Sequence, residues 1–176
     1  DVLPVIDSHG RTEAGTSGDA GAAVLAGVVN AHKAMNPNTL FVSAGDNIGA
    51  STFTSFIQQD NPTIDALVAA GLDVAAVGNH EFDRGFEDLT DRVIPRFGGN
   101  DGSSAAPPPH VEAGGAYGLG ANVYEKGTEN PVLPEYAIKE IDGVKVGFIG
   151  TVTTHTANMV DPAGIAHIGF GDQLEA

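Results

Sequence analysis

Six side chains in three short clusters could do chemistry together. Asp7 and His9 stand two apart in Asp7-Ser8-His9-Gly10, and Asp46 lies in Gly45-Asp46-Asn47. Asn79, His80 and Asp83 lie in Gly78-Asn79-His80-Glu81-Phe82-Asp83. A carboxylate and an imidazole two residues apart on a loop can both face one divalent cation, and a carboxylate from elsewhere can bridge to a second. On this reading Asp7 and His9 hold the first ion, Asp46 bridges, and the side-chain oxygen of Asn79 holds the second. Two ions about 3.5–4 Å apart activate a water and clamp both the attacking and the leaving oxygen of a phosphoryl transfer. Nitrogen and oxygen ligands without sulfur favour Mn, Zn, Fe, Co or Mg. His80, next to a ligand, could stabilise the developing charge or protonate the leaving oxygen, with Asp83 holding its other ring nitrogen.

For these groups to meet, the chain must bring three loops to one place. Each cluster follows a short apolar run, at residues 2–6, 40–44 and 73–77, that reads as a strand. In an open α/β sheet the crevice beyond the strand ends is where ligands bind, so three successive strand ends would deliver the six residues to one edge. Pro4 is a defect in the first run, since it cannot donate a ladder hydrogen bond. Helical spacing of apolar residues predicts helices over 19–35, 51–59, 62–70 and 84–94. Asn36-Pro37-Asn38 ends the first, Pro62 opens the third and Gly71 stops it. Residues 98–118, rich in Gly, Ser and Pro, read as a long flexible loop or lid within the domain. A further strand is expected over 119–124, and residues 136–141 and 144–149 flank Asp142-Gly143 as a hairpin. Residues 150–176 show no clear period and predict no final element.

The composition fits a globular chain of one domain or a large piece of one: 176 residues, 41% hydrophobic, long enough to bury a core. With 8 basic against 23 acidic residues the net charge is −15, which argues against a grip on nucleic-acid polymers but not against small phosphates reached through divalent cations. There is no cysteine, hence no disulfide framework or thiolate ligand, and no apolar stretch reaches membrane-spanning length. Taken singly, the clusters have plainer readings. Asp7-x-His9 and Gly45-Asp46-Asn47 are ordinary turn sequences, and Asn79 or Asp83 could cap the helix that follows. Three clusters in order, each behind an apolar run, are far more specific.

In this order the clusters resemble the calcineurin-like metallophosphatases, and more narrowly the secreted bacterial 5′-nucleotidases of actinobacterial type. Asp7-x-His9, Gly45-Asp46 and Gly78-Asn79-His80-Glu81 match the superfamily pattern, and Phe82-Asp83 belongs to the nucleotidase branch. Asn47-Ile-Gly-Ala-Ser51, Gly120-Ala-Asn-Val-Tyr124 and Gly143-Val-Lys-Val-Gly-Phe-Ile-Gly150 extend the likeness over nearly the whole chain. The resemblance implies a four-layer α/β/β/α sandwich with two divalent metal ions, Asp7, His9 and Asp46 on one and Asp46 and Asn79 on the other. It implies His80 and Asp83 as the catalytic dyad, with Asn79 and His80 also on the phosphate side of the substrate. The family has Asn-Asp-Phe-His-Gly where this chain has Ile6-Asp7-Ser8-His9-Gly10. It also completes its site with two later histidines and carries a C-terminal substrate-binding domain. Residues 1–176 would therefore be the N-terminal portion of a catalytic domain, incomplete at its C-terminal end. His32, His110, His155 and His167 lack the family's ligand context and read as structural or surface groups. The implied activity is hydrolysis of nucleoside 5′-monophosphates by a secreted or cell-wall-associated protein. A 2′,3′-cyclic nucleotide phosphodiesterase or nucleotide-sugar hydrolase would show the same half-site. The contrasting class is an inactive metal-binding or interaction fragment.

Overall fold

The computed structural model describes residues 21–98 and 116–176. The first strand expected at 2–6, and Asp7 and His9 beyond it, fall outside these residues, as do His110 and most of the expected loop at 98–118.

Helix α1 (Ala22–Met35) buries Leu25 and Val29, four residues apart on one face. It leads to a strand β1 of only Val42–Ser43, shorter than the sequence predicts. A single turn α2 (Phe53–Phe56) replaces the longer helix expected over 51–59, because the chain turns left-handed at Gln59 and Asp60. Then α3 (Asn61–Ala69), with Pro62 in its first turn, leads to β2 (Val74–Ala76). A 3₁₀ turn at His80–Phe82 precedes α4 (Phe86–Asp88), a π-helical turn Leu89–Val93, and α5 (Ile94–Phe97). The helix expected over 84–94 thus starts later and runs further. The wide turn ends two residues before Pro95, which has no N–H to give and whose ring crowds the preceding turn.

Strands β1, β2 and β3 (Tyr117–Leu119) form a parallel sheet in that order, with Val42 opposite Val74 and Ala75 opposite Tyr117. The single strand expected over 119–124 is split in two: β3 ends at Leu119 and β4 (Val123–Glu125) belongs to another sheet. There β4 pairs antiparallel with β7 (Ile168–Phe170), a terminal strand that the sequence did not announce. The hairpin β5 (Tyr136–Ile141) and β6 (Val144–Ile149) forms as expected, with φ of 49° at Asp142 and 77° at Gly143, the double left-handed turn that suits Asp-Gly.

Alternation along β2 arranges these parts into layers. Ala75 and Val77 join the helical core with Ile64, Leu67, Phe82, Leu89 and Val93, whereas Val74 and Ala76 pack on Leu119, Ala137 and Phe148 on the hairpin side. The described residues therefore stack helices, a parallel sheet and an antiparallel hairpin, an α/β fold. Asn122, fully buried, ties the second sheet to the rest: its amide donates to the carbonyls of Val152 and Gly171 and accepts from the Val152 N–H, all at 2.7–2.9 Å.

Candidate active site

Two of the three clusters lie in the described residues, and the parallel sheet brings them together. The loop after β1 carries Asp46, and the turn after β2 carries Asn79, His80 and Asp83. Because β1 and β2 are neighbours in register, their C-terminal ends open on the same edge.

The two loops are stitched by one buried carboxylate. Glu81, 3% exposed, accepts hydrogen bonds from the backbone N–H groups of Gly78 (2.6 Å), Asn47 (2.7 Å) and Asp46 (2.8 Å). Burial pushes its carboxyl pKa upward, and these three donors oppose that rise without cancelling it. Sequence reading placed Glu81 in the motif without a task; here it locks one strand-end loop to the other. Asp46 returns the link, its Oδ1 accepting the N–H of His80 at 3.0 Å.

Close approach between the loops depends on glycine. A Cβ on Gly78 would collide with the Asp46 carboxylate, and one on Gly45, which sits at φ 103°, would strike the Gly78 backbone. A Cβ on Gly49 (φ 74°) would run into the Asp83 carboxylate and the Cβ of His80. Asp46 and Ala50 are left-handed without being glycine, at φ 53° and 42°, a conformation costing roughly 1 kcal/mol per residue. The loop at 45–50 is thus held in a shape it would not take alone.

His80 Nδ1 donates to Asp83 Oδ2 at 2.9 Å, the pairing expected from the sequence. Burial disfavours the imidazolium, but the hydrogen bond and charge of Asp83, aided by the carboxylates of Asp46 and Glu81, outweigh it and raise the His80 pKa above its usual value. Neither Asn79 nor Asp83 caps a helix through its side chain. Asn79 precedes the 3₁₀ turn without a side-chain cap bond, and the residue before α4 is Gly85. Phe82 points the other way, fully buried, its ring edge-on to Phe170 of β7 at 5.2 Å.

Whether this corner suits a divalent ion can be judged from its donors. Those within the described residues are oxygens: the absence of a Cβ at Gly78 makes room for the Asp46 carboxylate at the strand end, and Asn79 is the next residue. These fit a hard or borderline cation. Among the described residues no group of three His, Asp or Glu side chains is placed to hold one, so Asp46 and Asn79 would be part of a larger ligand set. His155 is exposed, and His167 stands edge-on to Phe86 and 3.8 Å from Glu87.

No protein-family model matches the chain. It is 41% identical over 147 residues to endonuclease YhcR of Bacillus subtilis, covering 82% of this chain and 11% of that protein. To cell wall protein Lmo0130 of Listeria monocytogenes it is 35% identical over 192 residues, covering 99% of this chain and 24% of that protein. To a 5′-nucleotidase of Vibrio cholerae it is 28% identical over 178 residues, covering 99% of this chain and 29% of that protein. The chain thus spans less than a third of each of these relatives. In structure it is similar to a 5′-nucleotidase precursor of Thermus thermophilus, with a TM-score of 0.68, 24% identity, and 96% of this chain and 31% of that one covered. The likeness to a 5′-nucleotidase structure from Staphylococcus aureus gives a TM-score of 0.70 at 21% identity, over 96% of this chain and 31% of that one. At these identities the structural matches speak to the fold.

Proposed function

We propose that the chain is part of a calcineurin-like metallophosphatase of the 5′-nucleotidase family, and that the protein it forms part of hydrolyses the phosphoester of nucleoside 5′-monophosphates with the help of divalent metal ions, a reading supported by the likeness to 5′-nucleotidases in sequence and fold. The observation that carries this reading is the convergence of Asp46, Asn79 and the His80–Asp83 pair at two adjacent strand ends. Asp46 and Asn79, joined by Asp7 and His9, would hold two ions. Bound there, the ions would activate a water and offset charge on the phosphoryl oxygens. The chain's own residues do the rest. Asp83 fixes the orientation and tautomer of His80 through Nδ1 and so directs the ring's proton chemistry to Nε2. From there the imidazole either gives a proton to the leaving ester oxygen or stabilises the negative charge that grows on it. The Asp83 carboxylate on Nδ1 favours the protonated ring that both tasks require. Asn79 and His80 would contact the phosphate side of the substrate.

The name of the first relative, an endonuclease, favours a second reading, a nucleic-acid phosphodiesterase. The net charge of −15 weighs against it, since the chain offers little attraction to a polyanion. Among the described residues no helix is long and apolar enough to cross a membrane. A secreted or cell-wall location and a further substrate-binding domain are part of the same proposal, supported by the cell wall relative and by the chain's short span of it. Hydrolysis of AMP, read as phosphate release, beside hydrolysis of a 2′,3′-cyclic nucleotide, a nucleotide sugar and single-stranded DNA, read by separation of their products, with and without Mn, tests it. Chelator-sensitive release from AMP is expected to exceed the others. Cleavage of DNA alone would replace the reading with the nuclease.

A further inference from the structure

We infer that Asp60 is a positioning residue for the His80–Asp83 pair, acting through the backbone of Gly49; the inference rests on the function proposed above. Asp60 is 3% exposed and lies far along the chain from the site residues, in a left-handed turn at φ 59°. As the residue preceding α3 it should cap that helix, yet its side chain makes no cap bond. Instead the carboxylate turns to the strand-end loop. Oδ2 accepts the N–H of Gly49 at 3.2 Å, and Oδ1 accepts the hydroxyls of Ser51 (2.5 Å) and Ser55 (2.7 Å).

Gly49 is the wall against which the pair rests, with no room for a methyl group between them. Its left-handed φ, and that of Ala50 beside it, need an anchor, and Asp60 supplies it from behind. The anchor is itself braced. Arg92, gripped by both oxygens of Asp88 at 2.6 and 2.7 Å, donates to the Gln59 carbonyl (2.8 Å) and to Asn61 Oδ1 (2.9 Å), holding the left-handed turn from either side. A continuous path therefore runs from the π-turn through Asp60 and Gly49 to the imidazole. Asp60 itself is buried behind the loop and its carboxylate bonds to Gly49, Ser51 and Ser55, so it acts through the geometry of the pair.

The test uses the intact protein carrying Asp60→Asn. The amide removes the charge and turns one of the two accepting oxygens into a donor facing Gly49 or the two serines, so loop 45–50 should relax away from His80. Misplacement of a catalytic group by a fraction of an ångström lowers turnover, here by about tenfold in kcat with KM for AMP changed by less than about twofold. In the metal-free protein the imidazole ¹⁵N resonances of His80 should lose the signature of Nδ1–H bound to a carboxylate. Asp73→Asn is the control: Asp73 also anchors backbone, accepting from Phe41 N–H and Lys33, but at the other end of the sheet. It should lower the unfolding midpoint while leaving kcat and the His80 signature unchanged. Wild-type kcat and signature in Asp60→Asn would overturn the inference. Should Asp60→Asn not fold, Ser51→Ala decides: a smaller loss of the same two readouts supports the inference, and their persistence overturns it. A wild-type protein that releases no phosphate from AMP would remove the proposed function, and the resonances would still decide the positioning role.

Discussion

Asp46 has two tasks. Its Oδ1 accepts the His80 N–H, and as the proposed bridge between two ions it would also be a ligand to both, whereas Asn79 would touch one. Calorimetric titration with Mn is therefore expected to show a larger loss of affinity for Asp46→Asn than for Asn79→Ala; equal and negligible losses would remove the two-ion arrangement. Asp60 makes a separate prediction about acid. Burial alone would raise its pKa, but the Ser51 and Ser55 hydroxyls, the Gly49 N–H and the charge of Arg84 outweigh burial and hold it below the ordinary 3.8. A carboxylate depressed in the folded state stabilises fully above its unfolded pKa and ceases to do so as pH falls through the folded value. The stability gap between wild type and Asp60→Asn, followed by urea denaturation, should be constant above about pH 5 and close below about pH 3.8. A gap that widens toward acid would reverse the assignment. None of this was visible in Gln59-Asp60-Asn61-Pro62, which reads as an ordinary helix start. A carboxylate's choice between its own helix and a loop eleven residues away is settled by tertiary contact.

Among the elements, legibility follows the range of the interactions. Helices α1 and α3 and the Asp142-Gly143 hairpin were plain in the sequence because periodicity, Pro62 and the turn dipeptide act locally. The same holds for the pairing of His80 with Asp83, three residues apart. Strand β7 was not legible. Ile168-Gly169-Phe170 has a weak strand signal and exists because β4 supplies its ladder and Phe82 packs against Phe170. The split between β3 and β4 escaped for a related reason. Gly120 must bend where Leu133, Val123 and Val77 crowd it, and Asn122 finds its partners thirty and forty-nine residues away. Phe82 thus connects the motif to the last strand, and truncating it should be costly. Phe82→Ala is expected to lower stability by about 3–5 kcal/mol, the usual cost of emptying a well-packed aromatic site. Chemical denaturation measures it, and a loss below about 1 kcal/mol would show that the β4–β7 sheet does not support the motif.

At the scale of the whole molecule, helices, parallel sheet and hairpin form a platform whose strand ends hold the proposed site, within a chain of net charge −15. A chain so acidic attracts divalent cations, and on the function proposed these would offset its charge toward a phosphate. Residues 1–176 offer three proposed ligands to one ion and two to the other, so this chain by itself should bind the first ion more tightly than the second, with stepwise heats in a Mn titration. Two equal, tight steps would mean that further ligands lie within it. On the proposed function His80, held by Asp83, acts on the departing ester oxygen and is not itself a ligand. The most direct measurement is Mn-dependent phosphate release from AMP by the intact protein, wild type beside His80→Asn, with bound metal quantified in both. Loss of general acid help should lower kcat by roughly 100- to 10,000-fold at unchanged metal content. Turnover at the wild-type rate, or loss of metal in step with loss of rate, would contradict it.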